Sequence, residues 1–256
     1  MNFPQFPKKY GQDVVITPKQ HFFAENVNYK DFQPPKSVIL CFESWIVDHF
    51  KKLGNTVHRS FWSGEMIYLN EHKKEIALVG NFGIGGPAAT HIQEILIAVG
   101  VKNFIVVGHA GGLQKTNPVG TILLVDKALR DEGVSHHYLE PDRYAYPSPS
   151  LLNKLKNALN RNNLNCKMGS SWTIDSMYRE TKEEIKHYAL EGIASVEMEL
   201  ASLFAVATFR NVQIAALLVV SDLVACEKWD EQINSVSTST AIFKSVEIAK
   251  KVLNNG

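Results

Sequence analysis

The chain has 256 residues, of which 45% are hydrophobic, so it is long enough to bury a core without disulfides or a structural metal. Lysine and arginine together number 27 and aspartate and glutamate 26, which leaves a formal net charge of +1. Because the charges are balanced and form no block of one sign, nothing indicates a surface for nucleic acid or for an anionic membrane. The expected partners are therefore small molecules.

The cysteine content argues for a reducing compartment. Cys41, Cys166 and Cys226 form no C-x-x-C pair and leave an odd count, which is atypical of a secreted disulfide framework and of a thiolate zinc site. We therefore expect a cytoplasmic protein with no metal. The N-terminal sequence MNFPQFPKKYGQDVV holds no continuous apolar run, and the run at residues 214–220 has only the length of a strand, so we expect no signal peptide and no membrane span.

Apolar runs separated by glycine turns predict an α/β fold. Residues 1–37 hold five of the ten prolines and are predicted to form an irregular arm before one domain at 38–256. The order strand, helix, strand within about thirty residues is typical of a βαβ unit, which predicts parallel strands with a right-handed crossover. Strands are predicted at 37–42, 75–80, 104–112, 121–126, 167–174 and 213–220, helices at 43–54, 87–100, 197–209 and 241–253, and loops at 130–150 and 221–232.

A glycine-rich turn follows the second predicted strand. Residues 83–88, GIGGPA, fit the dinucleotide pattern G-x-G-x-x-A between a strand and a helix. A dinucleotide site is nevertheless rejected, because the next strand ends in VVGH at residues 106–109, where an acidic residue for the ribose is expected. Two interpretations stay open. The turn either brings backbone N–H groups to an anionic or polar ligand, or serves only helix packing.

Polar side chains near the predicted strand ends are candidates for ligand contact. His109 ends a strand and could donate a hydrogen bond or, when protonated, contact an anion, although a lone histidine is often structural. Glu197 and Glu199 are predicted to open a helix with Ser195 as N-cap, where the helix dipole alone would favour them. Glu199 lies among apolar residues, and an enclosed carboxylate needs hydrogen-bond donors such as paired hydroxyls. Asp222 follows an apolar strand and could carry a proton or cap a loop.

Three further residues have local sequences that leave their roles open. Arg59 and Arg179 lie in predicted loops and are equally consistent with surface charges. Trp229 is a large aromatic residue in a polar segment, which suits either a lid that stacks on a flat ligand or an anchor for its own loop.

Six segments share their order and spacing with a known family: GNFGIGGPAAT, VVGHAGGL, LRDEGVSHHYL, IDSMYRET, ASVEMELASLFAVATFRNV and VVSDLVACEKWDE. They resemble the purine nucleoside phosphorylase and uridine phosphorylase family over about residues 36–252. The resemblance implies a single α/β domain with a central mixed β-sheet flanked by helices. It also implies a homo-oligomer, a trimer or hexamer, with active sites at subunit contacts. The implied reaction cleaves a nucleoside with inorganic phosphate as co-substrate and no cofactor, giving the free base and ribose 1-phosphate.

The resemblance also implies roles for individual residues. Glu199 matches the carboxylate that grips the ribose hydroxyls, with Met198 packed under the sugar and Glu197 beside it. Asp222 matches the acid that protonates N7 of a purine leaving group, which favours a purine over a pyrimidine. The implied base-binding residues are Met177, Tyr178, Trp229 and Gly111, and the implied phosphate-binding residues are Arg59 of a neighbouring subunit, His109, Gly83, Gly85 and Gly86.

The chain departs from the family pattern where phosphate binds. The G-D-P-x-R loop is replaced by FESWI at residues 42–46, and Val106 and His109 stand at the arginine and hydroxyl positions of R-x-G-T/S. Two of the three expected arginines are therefore missing, which weakens phosphate binding by roughly two to four orders of magnitude. Thr181 and Glu183 stand where a uracil-reading Gln-x-Arg pair is expected.

These departures leave two alternatives to phosphorolysis. One is a nucleosidase that uses water, with Glu43 as the candidate base, close to where the related methylthioadenosine hydrolases hold a glutamate but not in register with it. The other is a nucleoside-binding protein of the same fold that has lost turnover. The intact V-E-M-E and S-D motifs argue against the second.

Overall fold

The computed structural model describes residues 6, 9–24, 33–53, 58–61, 64–69, 75–162, 164, 166–225, 229–233 and 235–254. These residues form an 11-stranded mixed sheet with helices packed against both of its faces. The predicted α/β fold with a central mixed sheet is confirmed, whereas the division into an arm and one domain at residue 38 stays a prediction.

The helices and strands alternate along the chain as follows. The helices are α1 (Pro18–Ala24), α2 (Ser44–Lys52), α3 (Gly86–Ala98), α4 (Pro149–Arg161), α5 (Lys182–Leu190), α6 (Leu200–Arg210) and α7 (Val236–Asn254). The strands are β1 (Ser37–Leu40), β2 (His58–Phe61), β3 (Gly64–Tyr68), β4 (Ile76–Gly80), β5 (Asn103–Gly112), β6 (Ile122–Asp131), β7 (Tyr144–Ala145), β8 (Cys166–Ile174), β9 (Ser195–Glu197), β10 (Gln213–Leu223) and β11 (Asp230–Glu231).

The order of the strands brings the predicted ligand-binding ends together. Strand β1 lies between β4 and β5 and is parallel to both, which confirms the parallel arrangement predicted for this βαβ region. Strand β10 is parallel to β5 but antiparallel to β6, so the sheet is mixed. Because β6 pairs with β8, β8 with β9 and β9 with β5, five strands close a ring. The ring places the ends of β5, β9 and β10 next to one another.

The two faces of the sheet carry separate apolar cores, as expected for strands covered by helices on both sides. In β1, Val38 and Leu40 pack in the core that contains α3 and α6, whereas Ile39, like Cys41 just after the strand, packs in the core that contains α2, α4 and α7. All four residues of β1 are buried, which explains why the sequence shows a continuous apolar run there.

Several predicted boundaries are wrong. The helix predicted from Glu197 begins at Leu200, because residues 195–197 pair with β5 and β8 as a short strand. Residues 221–223 continue β10, and residues 130–131 continue β6. A register shift between Val125 and Ala128 interrupts the alternation of β6, so its polar second half resembles a loop in sequence. The last helix begins at Val236, five residues before its predicted start.

The segment predicted to be an irregular arm contains a helix. Helix α1 packs against α3, and the hydroxyl of Tyr10 donates a hydrogen bond to the carbonyl oxygen of His136 at 3.0 Å. Within the described ranges, no helix is both long enough and apolar enough to cross a bilayer. The cytoplasmic location stays a prediction.

Candidate active site

Asp222 lies at the C-terminal end of β10, directly opposite Gly111 of β5. It belongs to the strand, so the alternative of a loop cap is wrong. Only 8% of the residue is exposed, and both carboxylate oxygens accept hydrogen bonds, Oδ1 from the Ser221 hydroxyl at 2.7 Å and Oδ2 from the Trp229 indole at 2.8 Å. A Cβ atom on Gly111 would lie 3.1 Å from the side chains of Val196 and Val224 and 3.5 Å from Oδ2 of Asp222, so glycine allows these side chains to pack closely here.

Glu197 supports the start of helix α6. It is the last residue of β9, and its Oε2 accepts hydrogen bonds from the backbone N–H groups of Glu199 and Leu200, both at 2.7 Å. Its Oε1 accepts from the Thr173 hydroxyl at 2.5 Å. The carboxylate therefore satisfies N–H groups that a helix start leaves free. Ser195, the predicted N-cap, instead lies within β9 and donates to the Ser171 hydroxyl.

Glu199 is enclosed next to the glycine turn. It occupies the N-cap position of α6, is 5% exposed, and its Oε1 accepts a hydrogen bond from the backbone N–H of Gly85 at 2.6 Å. The donor is thus a backbone amide and not the pair of hydroxyls expected from the sequence. Burial, together with the charges of Glu197 and Glu43, raises the pKa of Glu199 to about 8, against the lowering effect of the hydrogen bond from the Gly85 backbone. Met198 is partly buried between the two glutamates.

The described contacts of the turn favour the helix-packing interpretation, and contact with a ligand stays a prediction. Gly83 and Gly85 have φ values of 100° and 89°, a left-handed conformation that favours glycine, and this backbone directs the Gly85 amide to Glu199. A Cβ atom on Gly86 would lie 2.3 Å from the Ser202 hydroxyl oxygen, so Gly86 allows α3 and α6 to approach closely. The described contacts of Gly85 and Gly86 are therefore with Glu199 and α6.

Glu43 and His109 occupy the edge where the sequence departs from its family. Oε1 of Glu43 accepts a hydrogen bond from the backbone N–H of His109 at 3.2 Å and lies 3.1 Å from the ring Nδ1. Burial lowers the pKa of His109, partly opposed by the charges of Glu43 and Asp222, so the imidazole is neutral at pH 7. The ring of Trp45 stacks on it with centroids 5.8 Å apart.

Three polar atoms of this cluster are buried without a hydrogen-bond partner among the described residues. They are Oε2 of Glu43, Nε2 of His109 and Nε1 of Trp45. Buried polar atoms are almost always paired in folded proteins, so these three atoms are candidates for contact with a bound molecule.

The side chains predicted to contact the base are more exposed. Met177 and Tyr178 lie on a short 3-10 turn and are 50% and 91% exposed, and Trp229 is 64% exposed. Glu180, which follows this turn, is not among the site residues predicted from the sequence. Its pKa is raised to about 7 by burial and then by the charges of Asp222 and Glu184. Glu180 therefore belongs to the same acidic cluster as Asp222.

Cations are scarce at this site. Arg59 lies on β2 opposite Met66, but its side chain falls outside the described part of the structure. Among the residues that the structure describes, no lysine or arginine lies within ion-pair distance of Glu43, Glu199 or Asp222. In the same ranges, no group of three or more histidine, cysteine or acidic side chains is placed to hold a metal ion.

These side chains form one electrostatic cluster. The charge of Glu43 acts on both Glu199 and His109, and the charge of Asp222 acts on both His109 and Glu180. The predicted sugar-binding carboxylate and the predicted acid are thus linked through Glu43 and His109, at the ends of β1, β5 and β10. Ligands bind at this edge in open α/β sheets.

A model of the Phosphorylase superfamily matches residues 44–251 of the chain. The chain belongs to this superfamily. A DeoD-type purine nucleoside phosphorylase from Bacillus cereus is 28% identical over 189 residues, which cover 73% of this chain and 79% of the relative.

Solved structures share the phosphorylase-superfamily fold. Purine nucleoside phosphorylase from Toxoplasma gondii in complex with immucillin-H matches with a TM-score of 0.77 at 18% identity, covering 90% of this chain and 93% of that one. AMP nucleosidase from Bacteroides thetaiotaomicron matches with a TM-score of 0.74 at 21% identity, covering 94% and 100%. The family resemblance inferred from the six segments is confirmed.

Proposed function

We propose that this phosphorylase-superfamily chain cleaves the N-glycosidic bond of a purine nucleoside. One arrangement carries the proposal: the enclosed carboxylate of Glu199 and the carboxyl group of Asp222 belong to one cluster at the ends of the central strands. Bond cleavage at C1′ needs a held sugar and a leaving base that receives a proton. In this proposal Glu199 holds the sugar, and Asp222 supplies the proton to the leaving base.

In the proposed reaction, the ribose hydroxyls donate hydrogen bonds to Glu199, and Met198 packs under the sugar. The base enters beside Gly111, which lies opposite Asp222, and displaces the indole of Trp229 from Oδ2. Asp222 then acts as the acid that gives a proton to N7 of the purine as the C1′–N9 bond breaks. The positive charge that builds on the sugar ring is stabilised by the carboxylate of Glu43.

Two co-substrates are possible for this cleavage. Phosphate is implied by the family resemblance, and the Bacillus cereus relative is named a phosphorylase. Water is favoured by the charges at the edge where the family binds phosphate. The carboxylate of Glu43 repels a phosphate dianion, and the neutral imidazole of His109 does not attract one. We therefore propose water as the co-substrate, with phosphorolysis as the second candidate.

Release of free base distinguishes these reactions. Inosine, adenosine, methylthioadenosine and uridine are each incubated with the protein, with and without phosphate, and the base and the sugar product are quantified. We expect purine release that does not require phosphate and that yields a free sugar. Release that requires phosphate and yields a sugar 1-phosphate would support the second candidate. Nucleoside binding without any release would overturn the proposed enzymatic function.

The proposed assembly is a homo-oligomer, a trimer or hexamer, with the site near a subunit contact. Large apolar side chains surround the site and are strongly exposed in one chain, as expected of a surface that another copy covers. Ile84, Met177 and Tyr178 are 73%, 50% and 91% exposed. Sedimentation of the protein at micromolar concentration tests this, and a purely monomeric protein would contradict it.

A further inference from the structure

We propose that His109 is the base that takes a proton from the attacking water, and that Glu43 positions His109 for this task. The inference rests on the proposed N-glycosidic cleavage and assigns its nucleophilic step. It reverses the expectation from the sequence, in which Glu43 itself is the candidate base.

The contact with Glu43 determines which nitrogen of His109 carries the proton. A carboxylate oxygen is an acceptor only, and Oε1 of Glu43 lies 3.1 Å from Nδ1 and 3.2 Å from the backbone nitrogen of the same residue. The tautomer with hydrogen on Nδ1 is therefore favoured. The lone pair is then on Nε2, which is buried and has no partner among the described residues. A neutral imidazole oriented by a carboxylate is an arrangement suited to general-base catalysis.

Nε2 is the acceptor that the proposal assigns to the attacking water, because Nδ1 is directed at Glu43. Trp45 stacks on the imidazole, which holds the ring in place.

His109 lies on the same side of β5 as the position opposite Asp222. His109 and Gly111 are two residues apart on β5 and therefore face the same side of the strand, and Gly111 lies opposite Asp222. The charged groups that act on His109 are Glu43, from the segment between β1 and α2, and Asp222 of β10, whereas Trp45 of α2 is uncharged. Both carboxylates stabilise the imidazolium that forms when the proton arrives.

The step balances without another reactant. The water oxygen forms a bond to C1′ while the C1′–N9 bond breaks and its electron pair goes to the base. One water proton goes to Nε2 of His109, and the proton of Asp222 goes to N7. The products are the free sugar and the free base. Transfer of the proton from His109 back to Asp222, through solvent, restores the enzyme.

The test compares two variants of the pair in the full-length protein. His109→Asn keeps a side-chain donor for Glu43 but has no lone pair at the position of Nε2, and we expect the phosphate-independent kcat to fall about 10²–10⁴-fold with little change in KM. Glu43→Gln keeps the shape but loses the charge, and we expect a smaller fall of roughly 10–100-fold. Because Glu43 raises the pKa of His109, the acidic limb of kcat against pH should also move to lower pH in Glu43→Gln.

A matched control is available on the surface. His187 and Glu191 of the α5 region form an exposed pair with Nε2 and Oε1 3.0 Å apart, so His187→Asn and Glu191→Gln test for nonspecific effects. Circular dichroism and thermal melts identify variants that fail to fold, and for these His109→Gln replaces His109→Asn.

Three outcomes separate this inference from the proposed function. The inference is overturned if a folded His109 variant keeps a kcat within threefold of wild type, or if the acidic limb stays in place in Glu43→Gln. It is also overturned if the wild type releases base only with phosphate, although the proposed cleavage then stands. No release by the wild type would instead remove the proposed function.

Discussion

Two edges of the same site differ in how completely their polar groups are paired. At the edge formed by β9, β10 and the start of α6, both oxygens of Asp222 and both oxygens of Glu197 accept hydrogen bonds from the protein. At the edge that follows β1, Glu43, Trp45 and His109 each keep a buried polar atom without a partner among the described residues. The first edge retains the residues of the family motifs, whereas the second has replaced them. The difference supports the proposal that water replaces phosphate as the co-substrate.

Replacement of the acid at the first edge should have the largest effect. In Asp222→Asn the side chain can still pair with Ser221 and Trp229, but it has no carboxyl proton to give to the leaving base. We expect kcat for a purine nucleoside to fall about 10²–10⁴-fold while the dissociation constant changes only severalfold. Steady-state base release and equilibrium binding measure the two quantities. Asp142→Asn, on the exposed surface, is the control, and a kcat within threefold of wild type would remove Asp222 from the mechanism.

The raised pKa of Glu199 should also change how the stability of the protein depends on pH. Because the pKa of Glu199 is raised to about 8, the folded protein holds a proton that the unfolded chain releases above about pH 4.5. The free energy of unfolding therefore falls as pH rises toward 8, by about 1.4 kcal/mol for each unit of the shift, and Glu197, with its pKa raised to about 7, acts in the same direction. In Glu199→Gln we expect a shallower fall.

Urea unfolding of the wild type and Glu199→Gln at pH 5 and pH 8 measures this difference. Glu183→Gln, an exposed glutamate of α5, is the matched control and should keep the wild-type fall. If the free energy of unfolding falls equally in the wild type and in Glu199→Gln, the pKa of Glu199 is not raised by folding. That result would contradict the enclosure of Glu199.

Removal of the indole N–H next to Asp222 should have the smallest effect. Trp229→Phe keeps an aromatic face but no longer donates to Oδ2, so an entering base displaces one hydrogen bond fewer. We expect a purine nucleoside to bind about 2–10-fold more tightly, the equivalent of one neutral hydrogen bond. Trp229→Ala also removes the stacking face and should bind more weakly than Trp229→Phe. If Trp229→Phe binds no more tightly than wild type, the indole does not compete with the base.

The sequence predicts the centre of the sheet well because local signals there agree with tertiary structure. The apolar runs of β1, β4 and β5 are buried on both faces, and Ile92, Ile95 and Leu96 of α3 pack in the core as their spacing predicts. Local signals fail where pairing decides the conformation. Strand β9 has three residues, too few for a period, and it exists because β5 and β8 flank it. Helix α5 was missed although Thr181 and Glu184 form a capping box, which is visible in the sequence.

The site is only partly predictable for the same reason. Glu199 and Asp222 lie in motifs that can be recognised, and their positions at the strand ends follow from the order of elements. The pairing of Glu43 with His109 joins residues 66 positions apart, and Trp45 joins them through stacking. No local pattern reports such contacts. Glu180 likewise enters the cluster because the fold brings its turn beside Asp222.

The turn between β4 and α3 has a consequence for the affinity of the proposed site. Asn81, Gly83 and Gly85 all adopt positive φ, and this backbone directs the Gly85 amide to Glu199 in the folded chain. The conformational entropy of this segment is lost once, when the chain folds, and not at each encounter with a substrate. In the proposed reaction, the binding energy of the sugar is therefore not used to order the turn that holds Glu199.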